Sequence, residues 1–203
     1  MKHRTTRALY DYWHRRRGAR PAPSRADIEP SDIHALLADT FILECDRPQR
    51  TPFRLAGTRV CLLFNRELKG TDYHGLWRPC DREAIAGALS ATRREAACHV
   101  IIWRGCTESD YEVAGELVVL PLTMGGAQVA RALGAMAPFE LPVWLGAVPL
   151  TCLELRAVHR LDTDSGQTAL AMPAEPIAMD ADSQAGARKF GHLSVYAGGL
   201  DGE

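Results

Sequence analysis

The sequence predicts an α+β protein: a five-stranded antiparallel sheet with helices on one face, an N-terminal helix before it and a C-terminal extension after it. Three observations predict this. Two strand patterns, 40–46 and 53–56, precede a run of short helical patterns, and three more strand patterns follow a longer helix. The last three strands are joined by brief links, 105–110 and 123–126, which suit hairpins rather than parallel crossovers. The stretch 53–71 begins as a strand, breaks at Gly57, continues as an apolar helix through Phe64 and turns again at Gly70. A strand that feeds a short helix across its own sheet makes a pocket wall.

In chain order, 5–17 reads as a helix in which Leu9, Tyr10 and Trp13 share a face. Arg15, Arg16 and Arg17 occupy its last turn, where cations suit the helix dipole, and Gly18 is placed to end it. Pro21 and Pro23 mark a linker. A second helix is expected over 27–37, with Pro30 in its first turn and Ile33, Leu36 and Leu37 as its buried stripe. His34 lies one position off that stripe and reads as exposed. Strand 40–46 sets Phe41 and Leu43 against Ile42 and Glu44. In strand 53–56, alternation groups Phe53 with Leu55 and puts Arg54 opposite. A short helix or turn follows at 73–77. Asp81 is placed to cap a helix running to about Arg94, with Ile85, Ala88 and Leu89 inward. Strands are expected at 98–104, 111–122 and 127–137. Beyond Phe139 comes a turn-rich connection, then an extra strand at 151–160. The segment 161–187, rich in Asp, Ala and Ser, reads as flexible. Residues 190–196 read as a short strand or partner-binding segment.

Composition narrows the function classes. The chain has 203 residues, 46% of them hydrophobic, enough for one domain with extensions. A net charge of -1 gives no global attraction to nucleic acid or to an anionic membrane. Basic residues crowd the first 25 positions and acidic ones the end. Six cysteines occur without a C-x-x-C or a zinc-type spacing, and no apolar run approaches a membrane span. The reading is therefore a cytoplasmic protein without a disulfide framework. Nucleophile-elbow, phosphate-loop, zinc-protease and dinucleotide fingerprints are absent, so no enzymatic activity is assigned.

The order of elements resembles a PAS domain. The resemblance rests on Phe53-Arg54-Leu55-Ala56-Gly57-Thr58, Glu67-Leu68-Lys69-Gly70 and Leu117-Val118-Val119-Leu120-Pro121-Leu122. Asp27-Ile28-Glu29-Pro30, Arg131-Ala132-Leu133-Gly134 and Gly191-His192-Leu193-Ser194-Val195-Tyr196 extend it. Together they resemble short proteobacterial proteins made of a single PAS-type domain with extensions. On this reading 1–25 is a basic helix and linker, 26–140 the PAS-like domain and 141–203 the extension. The resemblance implies a pocket between sheet and helices, and dimerisation through the outer sheet face or a flanking helix. No kinase, cyclase or phosphodiesterase output domain fits the remaining residues, so a signal is expected to leave through a partner protein.

Candidate pocket residues are Arg54, Thr58, Cys61, Phe64, Trp77 and Trp103. Arg54 binds a carboxylate or phosphate if it faces the pocket, and pairs with an acidic neighbour if it faces outward. Trp77 and Trp103 suit a pocket wall, a dimer surface or a plain core. Leu9 and Trp13 are candidates for partner binding. The flavin-type PAS segment Asn-Cys-Arg-Phe-Leu-Gln is absent, and His99 matches only weakly the haem-binding position, so any cofactor stays unknown and no metal is assigned. The expected function is a non-catalytic sensory or regulatory protein in signal transduction, a homodimer that binds a small ligand, a partner protein or both. A ligand-free interaction adaptor is one alternative. The other is a nucleic-acid-binding regulator using the Arg-rich first helix, against which the overall charge argues.

Overall fold

The computed structural model describes residues 1–45 and 50–162, together with the backbone of 187–190 and 193–196. Three α-helices, α1 (Arg4–Arg17), α2 (Thr58–Leu63) and α3 (Arg82–Glu95), accompany β1 (Thr40–Glu44), β2 (Phe53–Ala56), β3 (Cys98–Cys106), β4 (Glu112–Thr123), β5 (Val129–Pro138) and β6 (Cys152–Leu161). The six strands form one sheet in the order β2-β1-β5-β4-β3-β6, every neighbouring pair antiparallel. The extra strand expected at 151–160 thus joins the sheet through β3, making six strands rather than five. β7 (Ala187–Phe190) and β8 (Leu193–Tyr196) pair antiparallel with each other in a two-stranded sheet. Most of the stretch read as flexible lies outside the described residues.

Period-two alternation decides which side chains meet which helices. Phe41, Leu43, Ile101, Trp103, Leu117, Val119 and Met136 point to the inner face, packed with Val60 and Leu63 of α2 and Ile85 and Leu89 of α3. Ile42, Val100, Val118, Leu120, Leu133 and Ala135 point to the outer face, packed with Leu9, Tyr12 and Trp13 of α1 and with Ile28 and Ile33. Helices therefore cover both faces, where the sequence had suggested one. The apolar face of α1 has a large surface to bury, and the outer sheet face is that surface. Each fully buried large apolar side chain contributes about 1.5–3 kcal/mol.

Polar contacts fix the helix on the sheet. Glu116 of β4 is fully buried, and its carboxylate accepts from the backbone N–H of Lys2 (2.7 Å) and His3 (3.1 Å) and from the Thr6 hydroxyl. The Trp13 indole donates to the Pro121 carbonyl at 2.8 Å. Pro121 lies beyond the last β3 partner, Val119, so its missing N–H breaks no rung there. The Pro23 carbonyl continues that edge by accepting from Thr123 N–H at 3.0 Å.

Local structure departs from the sequence reading in three places. The helix expected over 27–37 is a 3₁₀ segment, Pro30–Asp39, with a kink at Ile33. Asp81 starts α3 but does not cap it; its carboxylate accepts from Leu155 N–H at 3.0 Å instead. In β2 the register slips by one residue between Leu43↔Phe53 and Ile42↔Leu55, so Arg54 is the extra residue of a bulge. Leu55 consequently does not share the buried side of Phe53: Phe53 is buried and Leu55 is exposed.

Two glycines form the inner floor of the sheet. Gly134 stands opposite Phe41 and Gly115 opposite Trp103. A Cβ at either position would overlap the facing ring. Gly115→Ala is expected to lose about 1–3 kcal/mol in urea denaturation, as overpacking does, whereas Gly126→Ala, with nothing within 4 Å of the added carbon, should change by less than about 0.5 kcal/mol.

Candidate functional site

The space between the inner sheet face and the helices is occupied by rings. Phe41, Phe53, Tyr73 and Trp77 form a chain of contacts with centroid separations of 5.7–6.0 Å, and Trp103 lies fully buried in the same cluster. The Tyr73 hydroxyl and the indole N–H groups of Trp77 and Trp103 are buried there without a hydrogen-bond partner. Burial pushes the Tyr73 hydroxyl far above its ordinary range. This face offers donors to an acceptor, but the aromatic side chains take up the room.

The six candidate pocket residues do not converge. Phe64, Trp77 and Trp103 belong to the inner core. Arg54 has turned outward, its side chain 58% exposed and 3.9 Å from Glu44, so it anchors nothing inside. Thr58 is exposed at the start of α2, beside an outer groove lined by Ile33, Leu37 and Leu55. Cys61 is half-buried, its Sγ 3.7 Å from Glu67, and burial pushes its thiol up. Leu9 and Trp13, read as partner contacts, are fully buried within the chain against the sheet. His99, the weak haem candidate, is also buried, and its Nδ1 lies 3.0 Å from the Thr92 hydroxyl of α3.

A concave site forms elsewhere, beside α2. After β5 ends at Pro138 the chain folds back through a compact segment held by Leu145 N–H to Pro142 (2.9 Å) and Val148 N–H to Trp144 (2.9 Å). Stacking of Trp144 on Tyr111, centroids 5.3 Å apart, braces it, and Leu150 N–H to Leu63 (2.8 Å) ties it to the end of α2. Gly146 takes φ 91° where its backbone runs close to Leu62. The result is a groove of about 250 Å³ lined by Leu62, Leu63, Met136, Leu141, Pro142 and Leu145. Its polar lining is His3, Thr5, Asp39 and Arg59, and Arg59 bonds Asp39 through two nitrogens at 2.6 Å each. That bond raises the Arg59 pKa and fixes its fork geometry. Leu62 is 50% exposed and Leu141 81% exposed.

The sequence reading missed Arg59, Asp39, Leu62 and Leu141. The available signal was the run Leu141-Pro142-Val143-Trp144-Leu145, too apolar for an ordinary surface turn. Among the described residues no group of three or more His, Cys, Asp or Glu side chains is arranged to hold a metal ion. Among the described residues no helix is long and apolar enough to cross a membrane.

The fold is that of an antiparallel PAS-type sheet with helices packed on its inner face. A family model described as "PAS domain" matches residues 1–137, and the chain belongs to that family. The match takes in α1. Its PAS relatives are sensory signalling domains. Among solved structures the chain is similar to a light-oxygen-voltage domain studied with a flavin analogue, at 13% identity and TM-score 0.45 over 54% of this chain and 83% of that one. It is also similar to an RNA-binding light-oxygen-voltage receptor, at 15% identity and TM-score 0.42 over 58% of this chain and 34% of that one. A third similarity is to the PAS domain of a Colwellia psychrerythraea protein, at 17% identity and TM-score 0.40 over 55% of this chain and 98% of that one. No curated protein matches.

Burial holds the His99 imidazole down to about 4, so it is neutral when folded at pH 7. The unfolded chain binds this proton near 6.5, so it takes up more protons than the folded chain between about pH 6.5 and 4. Stability contributed by neutral His99 is complete above that window and falls as pH drops through it, by a total of order 3 kcal/mol. Urea midpoints measured from pH 7 to 4.5 should show this loss, and His99→Gln should flatten the slope.

Proposed function

We propose that this PAS domain is a non-catalytic regulatory module that acts by binding a partner protein, with the groove beside α2 as its contact surface. The observation that carries the reading is the division of space: the interior is taken up by aromatic side chains, while an open apolar concavity lies outside, rimmed by Leu62 and Leu141. At about 250 Å³ the groove is smaller than the ~300–1,000 Å³ usual for drug-sized ligands. It suits one or two apolar side chains of a docking polypeptide. Exposed apolar residues clustered around such a groove favour protein contact. The Arg59–Asp39 pair supplies a polar mark at one side. This reading favours the ligand-free adaptor alternative over an internal small-molecule sensor.

The other expectations are less well supported. A homodimer built on the bare outer sheet face would have to displace α1, whose Leu9 and Trp13 are buried there. Nucleic-acid binding by the Arg-rich helix would find Arg16 paired with Asp32 and Arg17 buried, and would rest on the exposed Arg4 and Arg15. A cytoplasmic setting suits the cysteine content and belongs to the same proposal.

Photo-crosslinking tests it. A benzoylphenylalanine at position 141, in full-length protein expressed in its native host, is expected to capture a discrete partner that the same group at position 15 does not. Leu62→Glu should abolish that capture while leaving the circular dichroism unchanged. Equal capture from both positions, or capture that survives Leu62→Glu, would overturn the reading.

A further inference from the structure

Two thiols face one another at the edge of the sheet. Cys106 closes β3, Cys152 opens β6, and the antiparallel register sets them directly opposite. Opposed residues project from the same face of the sheet, and both cysteines are partly exposed. The Cα atoms of opposed residues in an antiparallel pair lie about 4.5–5.5 Å apart, within the ~4.4–6.8 Å that a disulfide spans.

Their surroundings carry positive charge. A terminal nitrogen of Arg78 is 3.7 Å from Cys106 Sγ. Arg78, Arg104 and Arg156 all reach the Glu154 carboxylate, and Arg104 also reaches Glu112. Three guanidiniums against two carboxylates leave an excess cation beside the two sulfurs. On Cys106 burial is the largest effect, and it pushes that thiol up. Burial thus disfavours first attack by Cys106, which leaves Cys152 as the thiol that reacts first and Cys106 as the one that closes the bond.

The geometry points to a dithiol oxidation site, at which a hydroperoxide oxidises Cys152 and Cys106 closes an intrachain disulfide between β3 and β6. In the first step the Cys152 thiolate attacks one oxygen of hydrogen peroxide. An S–O bond forms, the O–O bond breaks, and the departing hydroxide takes a proton to become water. In the second step the Cys106 thiolate attacks the sulfenic sulfur of Cys152. The S–S bond forms, the S–O bond breaks, and hydroxide leaves as a second water. The two thiols together lose two electrons, and the peroxide gains them.

The crosslink has a structural reach. Cys152 follows directly on the segment that lines the groove beside α2, and Thr151 N–H already bonds the Cys106 carbonyl at 2.8 Å. A disulfide would pin the end of that segment covalently to β3. The site itself stands independently of any partner at the groove.

The reduced full chain, treated with an equimolar amount of hydrogen peroxide, is expected to lose two hydrogens in intact mass and to yield a single linked peptide pair joining Cys106 and Cys152. Cys106→Ser should instead accumulate a sulfenic acid on Cys152 that dimedone traps. Arg78→Gln should slow closure of the disulfide by Cys106 about tenfold, the effect of raising that thiol's pKa by one unit. Serine replaces either cysteine at little structural cost, and circular dichroism checks that each variant is folded. An unchanged mass, a linkage that maps to Cys61, Cys80 or Cys98, or a purely intermolecular disulfide would overturn the assignment.

Discussion

The Glu116 carboxylate sits in the central strand β4, sealed from water, and its acceptors are occupied by the chain that leads into α1. A buried carboxylate is costly unless its charge is answered by hydrogen bonds. Here the answer comes from backbone N–H groups ahead of a helix, whose positive dipole end favours negative charge. The arrangement sets the position of α1 along the sheet. With that position fixed, Leu9 and Trp13 fall on Val118, Leu120 and Leu133, and the indole of Trp13 reaches Pro121. The centre of the sheet is thereby dry on both faces, and the helix that looked like an appendage is part of the core.

On the opposite face the organising device is the missing side chain. Gly115 and Gly134 let Trp103 and Phe41 lie close to the sheet backbone. Because the rings sit deep, Tyr73, Trp77 and Phe53 can pack above them without lifting α3 away. The three unpartnered donors in this cluster are the residual cost of filling the interior with amphipathic aromatics rather than leucines. With the inside filled, the open concavity lies outside, at the groove bounded by α2 and the segment after β5.

Much of this was legible in the sequence. Strand order and the short links place the sheet from local pattern, and the pairing of Phe41 with Leu43 marks a face of β1, whereas Leu117 to Leu120 is apolar on both sides and marks none. Less was legible where the outcome depends on pairing. Arg54 is displaced by a bulge that only the β1 register reveals. Leu9 and Trp13 read as an apolar helix face, but nothing local says which surface that face covers. Glu116 resembles any strand glutamate until residues over a hundred positions earlier close over it. Asp81 has the sequence of a helix cap, yet a long-range partner at Leu155 takes its carboxylate. The opposition of Cys106 and Cys152 likewise exists only once β6 has chosen β3. Propensity and period fix elements, while long-range register decides which side chains become neighbours.

Both margins of the sheet show a further consequence of such long-range ties. At β6, Leu153 accepts from Arg78 N–H and Leu155 donates to Asp81. At β2, Phe53 exchanges hydrogen bonds with Gly70 and Thr71. Backbone groups that an incoming strand would need for templating are thus already occupied at each margin. Addition of a foreign strand, the route by which open sheets polymerise into fibrils, is obstructed at these rungs by covalently attached blockers.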